Sequence, residues 1–436
     1  MNKIIYYWRE LNATFWFIPV IIIISSILTA FIFVSIDHHY EFHKKGYTYF
    51  FIVNSADSAR SILSTISGAM MGVAGTIFSI TLVVLQLASS QFGSRLIKNF
   101  MHVRLNQIVL GLYVSTYLYC LLVLNAVKDA NDYSFVPSVS IIVAILITIV
   151  NIILLIIYIH QVATSIQADA IIFEISKIIS KRVEEIFPEK LGEEVDTEKE
   201  TDVEAYKSKY NKSIDIKAPK NGYLQYVDDV IIIELLTNND GLLELYFRPG
   251  RYLVKDKEIA KLFINDEWEQ EKIDLLLNHF IIGSTKTTQQ DLEYSIQQLV
   301  EIASRALSSG VNDPFTAIAC IDNLTSTLTF LASAKFPSKY RYSEDGELKV
   351  IADVLEFEGL LDTAFNQIRQ YSANNIAVSI RLMEALITIY DFTRKSSHKK
   401  AVVKHAEMVL NIGKESIKES NDLADLEQRA NKILNQ

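Results

Sequence analysis

The sequence predicts a membrane α-helical protein in which four transmembrane helices are followed by a cytoplasmic α+β region, a small β barrel-sandwich-like unit and then an α-helical domain. Three observations carry this expectation. The 436-residue chain is 50% hydrophobic and only 21% charged, and the apolar excess lies in its first third. Four stretches there, 14–36, 61–94, 105–127 and 133–159, contain no charged residue over lengths that cross a bilayer. Beyond them the pattern changes to short alternating strands with turn residues and then to amphipathic helices. The expected parts are a four-helix transmembrane domain (1–160), a helical stalk (161–183), an acidic linker (184–221), a β-rich cytoplasmic domain (222–283) and an α-helical cytoplasmic domain (284–436).

Taken in order, residues 1–12 mix Lys3 and Arg9 with Tyr6, Tyr7 and Trp8, a composition suited to the bilayer surface. The first span tolerates Pro19 because it lies near the helix start. The second span carries a register of small and polar residues at steps of four and three: Ser61, Thr65, Gly68, Gly72, Gly75, Ser79, Gln86, Ser89 and Gly93. Such a stripe stays on one helix face, and lipid offers no reason to collect it there. Either a polar path lined by Thr65, Gly68, Gly72, Gly75, Ser79, Gln86 and Ser89 or close helix packing within the bundle accounts for it. Asp57 and Arg60 stand at one end of that span and Arg95 and Lys98 at the other, as candidate mouth charges. Arg95, Lys98 and Arg104 make the short loop after it basic, whereas Asp129 and Asp132 make the later turn acidic. The positive-inside rule therefore places both termini in the cytoplasm.

The loop after the first span contains Asp37, His38, His39, Glu41 and His43, the one ligand-like cluster in the chain. An interfacial segment with histidines at headgroup level explains it without a metal, and no metal is assigned. The fourth span is expected to run on through residues 161–182, with Ala163, Ile166, Ala170, Phe173 and Ile178 at helical spacing. Ten carboxylates between Glu184 and Glu204 face only Lys190 and Lys199, a composition that cannot bury enough surface to order itself. Four strands are expected over 223–227, 242–247, 252–254 and 259–263, with a helix between the first two capped by Asp228 and Asp229. The segment around Arg248, Pro249 and Gly250 resembles the hairpins of lipoyl and biotinyl carrier domains, a likeness of fold that carries no chemistry because Lys257 is not at the modified position.

In the last third, Thr288 is expected to cap a helix over 289–307 with Asp291 completing a capping box. Gly310 ends that helix in a left-handed conformation. Asn312 or Asp313 caps the next one, with Pro314 in its first turn. Arg305, Asn312 and Asp313 form a candidate anion site at this corner, or simply the corner itself. Three further helices, near 357–371, 376–394 and 400–414, and a last polar one complete the domain. No nucleophile–base pair, glycine-rich phosphate loop or paired acid is present, so neither an enzymatic activity nor a cofactor is expected. Cys120 and Cys320 are too few for a disulfide framework or zinc site, and a net charge of -9 without a basic stripe argues against nucleic acid.

Several motifs, collinear from the first span to about Arg394, resemble the bacterial membrane-protein family catalogued as domain of unknown function 2254. They are the run SARSILSTISGAMMGVAGTIFSITLVVLQLASSQFGSRLIKNF, NQIVLGLYVSTYLYCLLVL, GYLQYVD, LYFRPG and ASRALSSGVNDPFTAIACIDNL. Where that family commonly has Ser-Pro-Gly-Ile-Asn-Asp-Pro, this chain has Ser308, Ser309, Gly310, Val311, Asn312, Asp313 and Pro314. The resemblance implies an inner-membrane protein with a cytoplasmic C-terminal region and implies no established activity. Two functional classes stand. One is a homo-oligomeric channel or transport protein for an ion or small anion, with the second span lining the path and a regulatory cytoplasmic domain. The other is a non-conducting membrane protein whose cytoplasmic domain binds a ligand or partner. Membrane lipids are partners in both.

Overall fold

A computed structural model describes residues 11–12, 14–39, 53, 55–93, 104–130, 133–165, 167–187 and 202–435, and the chain divides into two compact units, 4–167 and 168–436. The first unit contains α1 (Phe17–His39), α2 (Ala56–Phe92), α3 (Arg104–Ala126) and α4 (Ser138–Ser165). Where an acidic turn was expected, β1 (Lys128–Ala130) pairs antiparallel with β2 (Tyr133–Phe135), so the fourth apolar helix starts five residues later than its uncharged run.

The hub of this unit is α3. It packs against α1, α2 and α4, and half of its most apolar stretch is buried, against 11% in α1 and 22% in α2 and α4. Gly111 makes one of these contacts close: a Cβ there would lie 2.9 Å from the Pro19 Cα. Polar side chains tie the helices together where no water is at hand. Tyr113 donates to the Asn151 carbonyl at 2.8 Å, Tyr119 to the Ser140 carbonyl at 3.0 Å, and Ser26 to the Ser115 carbonyl at 2.9 Å. The Asn151 amide reaches the Thr116 hydroxyl at 2.7 Å, and Tyr158 meets both the Thr81 hydroxyl, at 2.8 Å, and the Ile77 carbonyl. A hydroxyl aimed at a carbonyl satisfies a group that hydrocarbon could not.

The second unit opens with α5 (Ala168–Ile186). The expected continuous stalk is interrupted: α4 ends at Ser165 and α5 begins afresh at Ala168. Its buried face is Ile171, Ile172, Ile175, Ile179 and Val183, which pack against neighbouring helices, while the expected Phe173 and Ile178 point outward. After α6 (Val203–Lys207), β3 (Lys212–Lys217) forms inside the expected linker. It is followed by β4 (Gly222–Val227), α7 (Asp229–Asn238), β5 (Gly241–Leu245), β6 (Tyr252–Leu253), β7 (Glu258–Ile264), α8 (Gln270–Leu277) and β8 (Phe280–Gly283). Then come α9 (Leu292–Ala306), α10 (Pro314–Ser333), β9 (Tyr340–Tyr342) and β10 (Leu348–Ile351). Finally α11 (Phe357–Tyr371), α12 (Ile376–Phe392), α13 (Ser396–Ser416) and α14 (Ser420–Leu434) complete the chain.

The strands make two sheets, β3-β7-β5-β10-β9 and β6-β4-β8, that share one apolar core. Leu224, Leu253, Phe280 and Ile282 from the smaller sheet meet Leu243, Leu262, Ile264 and Val350 from the larger, with Trp268 and Leu276 alongside. The four expected strands are there, but the sheet is completed from a distance: β10, a hundred residues on in sequence, pairs parallel with β5. α10 is also long and apolar enough to cross a membrane, which makes five such helices among the described residues. In this unit, however, α5, α9 and α12 pack against it, burying Ala317, Cys320, Ile321, Leu324, Leu328 and Leu331.

The helical part encloses two histidines. His405 is fully buried with Nε2 3.0 Å from Asp362, and burial holds its pKa below the usual value. His398 stacks on Phe357 at 4.5 Å and meets Phe336 edge-on, and burial, with Lys395 nearby, lowers its pKa to about 4. Both are therefore favoured neutral in the fold, whereas an unfolded histidine takes up its proton near pH 6.5. Stability is thus fully present above that value and is lost as pH falls toward the folded pKa. His398→Gln is expected to flatten the fall in melting temperature between pH 7 and pH 4.5, leaving the share due to His405. A pH profile unchanged from the wild type would contradict this.

Candidate functional site

The small-residue stripe of α2 does not face the bundle. Ala56, Ala59, Leu63, Ser67, Met70, Ala74, Ile77, Thr81 and Ala88 are the buried residues described on this helix. Their spacing of three and four places them on one face, which packs chiefly on α3. Thr65, Gly68, Gly72, Gly75, Ser79 and Gln86 are all exposed, and Ser89 is half-buried. A Cβ built on Gly68, Gly72 or Gly75 would meet nothing within 4 Å. The expected alternative of tight packing inside one bundle is therefore not what these glycines serve within a single chain. The hydroxyls are locally satisfied, because Thr65 donates to the Ser61 carbonyl at 2.7 Å and Ser79 to the Gly75 carbonyl at 2.9 Å. Back-bonding of this kind lets a hydroxyl sit in an apolar setting. Gln86, with a long amide on the same face, is the strongest polar demand on it.

At the ends of α2, the described mouth charges form a loose exposed pair, Arg60 to Asp57 at 3.5 Å, while Ser55 caps the helix by accepting from the Ser58 amide. Arg95 and Lys98 lie outside the described residues, as do Glu41 and His43. The described part of the ligand-like cluster has structural duties. Asp37 reaches across to the start of α4, where its carboxylate accepts from the Val139 and Ser140 amides, both at 2.9 Å, and from the Ser140 hydroxyl at 2.6 Å. This is helix capping supplied from another helix, with a negative charge on a positive dipole end. His39 bonds the Ser35 carbonyl through Nδ1, and His38 lies edge-on to Phe135.

The corner between α9 and α10 is built by caps. Asp313 accepts from the Thr316 amide at 3.2 Å and hydroxyl at 2.6 Å, Pro314 occupies the first turn, and the Asp313 amide donates back to the Ala306 carbonyl. The left-handed residue is Asn312, with φ 49°, and not Gly310, at which a side chain would meet open space. Asn tolerates that region better than other side chains, so it takes the turn's strained position. Arg305 lies 3.6 Å from Glu301 one turn back along α9. Val311 and Phe315 are exposed at the tip, Phe315 by 80%.

A cluster that sequence reasoning missed holds the sheets to the helices. Arg248, in the turn after β5, is mostly buried; one terminal nitrogen donates to both Asp353 oxygens at 3.1 Å and the other to Glu293 at 3.0 Å. Next to it, Gly250 has φ 96° and sits so close to Asp291 that a Cβ would fall 2.1 Å from a carboxylate oxygen. Both the left-handed backbone and the contact demand glycine here. Asp291, rather than Thr288, is the N-cap of α9, accepting from the Tyr294 amide at 2.8 Å. Its carboxyl is pushed above the usual range by burial, an effect the Tyr294 amide and Lys286 only partly offset. The Arg-Pro-Gly triplet was the available signal, since such a triplet between strands offers a fixed turn and a cation with no local partner.

An apolar helical unit with an internal ladder of polar contacts, followed by a folded unit of two sheets and packed helices, defines a membrane protein with several apolar helices and a substantial further domain. The family model described as "Predicted membrane protein (DUF2254)" matches residues 12–388, and the chain belongs to that family. It is 30% identical over 375 residues to an uncharacterized protein of Mycobacterium bovis and equally to one of Mycobacterium tuberculosis, covering 84% of this chain and 70% of each relative. A further Mycobacterium tuberculosis protein, also uncharacterized, is 29% identical over the same length. No solved structure matches the chain.

Asp291 offers a clean separation of capping from charge. Because its folded pKa is raised, ionisation costs stability as pH rises through that pKa. Asn caps a helix as well as Asp does and carries no charge. Asp291→Asn is expected to hold or raise the melting temperature at pH 7, whereas Asp291→Ala lowers stability by about 1 kcal/mol. Equal losses in both variants would show that the charge itself holds the cluster together.

Proposed function

We propose that this is a multi-pass protein of the bacterial inner membrane with four spans, α1 to α4, and both termini in the cytoplasm. Its subunits associate through the exposed stripe of α2, and that stripe lines a narrow path for an ion or small anion. The observation that carries the reading is the bare glycine face: Gly68, Gly72 and Gly75 are exposed with no neighbour near a virtual Cβ, while the opposite face is fully packed. Glycine within a helix costs roughly 1 kcal/mol against alanine. A repeated run of it is sustained where another backbone comes close, as in small-residue membrane interfaces. Four spans without an internal repeat are few for a monomeric carrier, so conduction calls for several subunits around an axis. The unit 168–436 then acts as the regulatory part on the cytoplasmic side. α10 is assigned to that unit and not to the bilayer, on the support of the helices that cover it.

A second reading keeps the association but removes the conduction. Its support is the local satisfaction of Thr65 and Ser79, which need no water. In that case the second unit's binding of a ligand or partner is the function. Two measurements on the purified full chain separate these. The mass of the complex in mild detergent is expected to exceed one chain, and Gly72→Leu is expected to weaken association. Recordings from reconstituted protein are expected to show currents that Gly72→Leu blocks and whose reversal potential Arg95→Glu moves toward cations. A monomeric wild type would contradict association and conduction and leave binding by the second unit as the function, and an oligomer without currents would leave the second reading.

A further inference from the structure

At the end of α1 a cavity of about 430 Å³ opens between this helix, the end of α3 and the β1-β2 hairpin. Its size falls in the range of small-molecule sites. The walls are graded. Phe31, Val34, Ala126 and Phe135 make the apolar part, and His38 and Lys128 stand at the polar end. From Phe31 to His38 is seven residues of helix, a rise of about 10 Å at 1.5 Å per residue. The apolar part continues a surface that has no protein partner within the unit. Val20, Ile24, Leu28 and Phe31 are exposed at steps of four and three along α1, and Ser35, the next position of that stripe, lines the cavity. A mostly apolar helix of 23 residues presenting such a stripe offers it to acyl chains.

No described residue compensates the charge at the polar end. Among the described residues Lys128 has no ion-pair partner. The nearest acid on α1, Asp37, is engaged with the α4 amides at 2.9 Å. Asp129 follows Lys128 in the strand and so points to the opposite face of the hairpin. His38 is held edge-on by Phe135, with ring centroids 5.8 Å apart, and has no hydrogen-bond partner among the described residues.

We propose that this cavity is a binding site for one anionic phospholipid, whose phosphate sits on Lys128 and His38 and whose acyl chain lies along Val34 and Phe31. The lipid rather than free phosphate is the ligand, because the wall that would be left empty by phosphate is the larger, apolar one. A cation near an anionic lipid headgroup contributes on the order of a fivefold preference.

Native mass spectrometry of the full chain, delipidated and offered phosphatidylglycerol or phosphatidylcholine with the same acyl chains, tests the site. Phosphatidylglycerol is expected to be retained about fivefold more strongly. Lys128→Glu is expected to abolish that preference, Lys128→Arg to keep it, and Lys212→Glu, in the other unit, to leave it unchanged. Lys128 is exposed on a short hairpin, so these variants are expected to melt within a few degrees of the wild type without lipid. A thermal shift with short-chain phosphatidylglycerol, absent with inorganic phosphate, is the second readout and does not depend on any variant. Equal retention of the two lipids, a preference that survives Lys128→Glu, or an equal shift with phosphate alone would overturn the proposal.

Discussion

In a bilayer a buried polar group depends on partners inside the protein, and in the first unit several such groups find theirs along α3. Tyr113 and Tyr119 both send hydroxyls to carbonyls of α4, and Thr116 takes the Asn151 amide. Each bond is modest by itself, but its absence would leave a desolvated group at a cost of roughly 1–3 kcal/mol. The ladder therefore fixes which face of α4 turns inward and how far it slides along α3. Gly111 does the same for α1 by letting Pro19 approach the backbone. Apolar contact alone would not set these registers, since lipid tails are as apolar as leucine.

Once α3 occupies the centre, the place of α2 follows. It spends Leu63, Met70, Ala74 and Ile77 on the bundle, and its glycines are left on the outer surface. The same logic governs the second unit, where Arg248 plays the central part. One guanidinium joins the turn after β5, the first turn of α9 and the segment beyond β10. Removing it would strand Glu293 and Asp353 together, a loss much larger than that of a surface pair. Both units are thus held by a few directional contacts over an apolar core, and both leave a surface feature that no contact among the described residues explains: the α2 stripe and the apolar tip at Val311 and Phe315.

Much of the architecture was legible in the sequence. Hydropathy and the absence of charge located the apolar helices of the first unit, because lipid imposes length and composition together. The cap at Asp313 and Pro314 and the strands around Tyr226, Leu243 and Leu262 were likewise visible, since each rests on local patterning. What escaped depended on distance. The parallel pairing of β10 with β5 joins segments a hundred residues apart, and nothing local to residues 348–351 announces a partner there. The hub was hidden for a related reason: glycines and serines in α2 stand out by composition, whereas the buried polar groups of α3 are scattered among leucines and only their partners give them meaning. His38 and His39 stood out as ligand types, whereas the duty of Asp37 beside them, a cap on a helix one hundred residues later, had no local sign. Likewise Gly310 drew the left-handed assignment by its identity, while the turn geometry placed it on Asn312.

The central claim is that the glycine face of α2 meets the same face of another subunit. Cysteine cross-linking in native membranes tests it most directly, because the two natural cysteines, Cys120 and Cys320, are buried. Single replacements Gly68→Cys, Gly72→Cys and Gly75→Cys are predicted to give disulfide-linked dimers under mild oxidation. Ala74→Cys, on the packed face of the same helix, is predicted to remain monomeric. Cross-linking at Ala74 and not at the glycines, or at none of the four positions, would contradict the account.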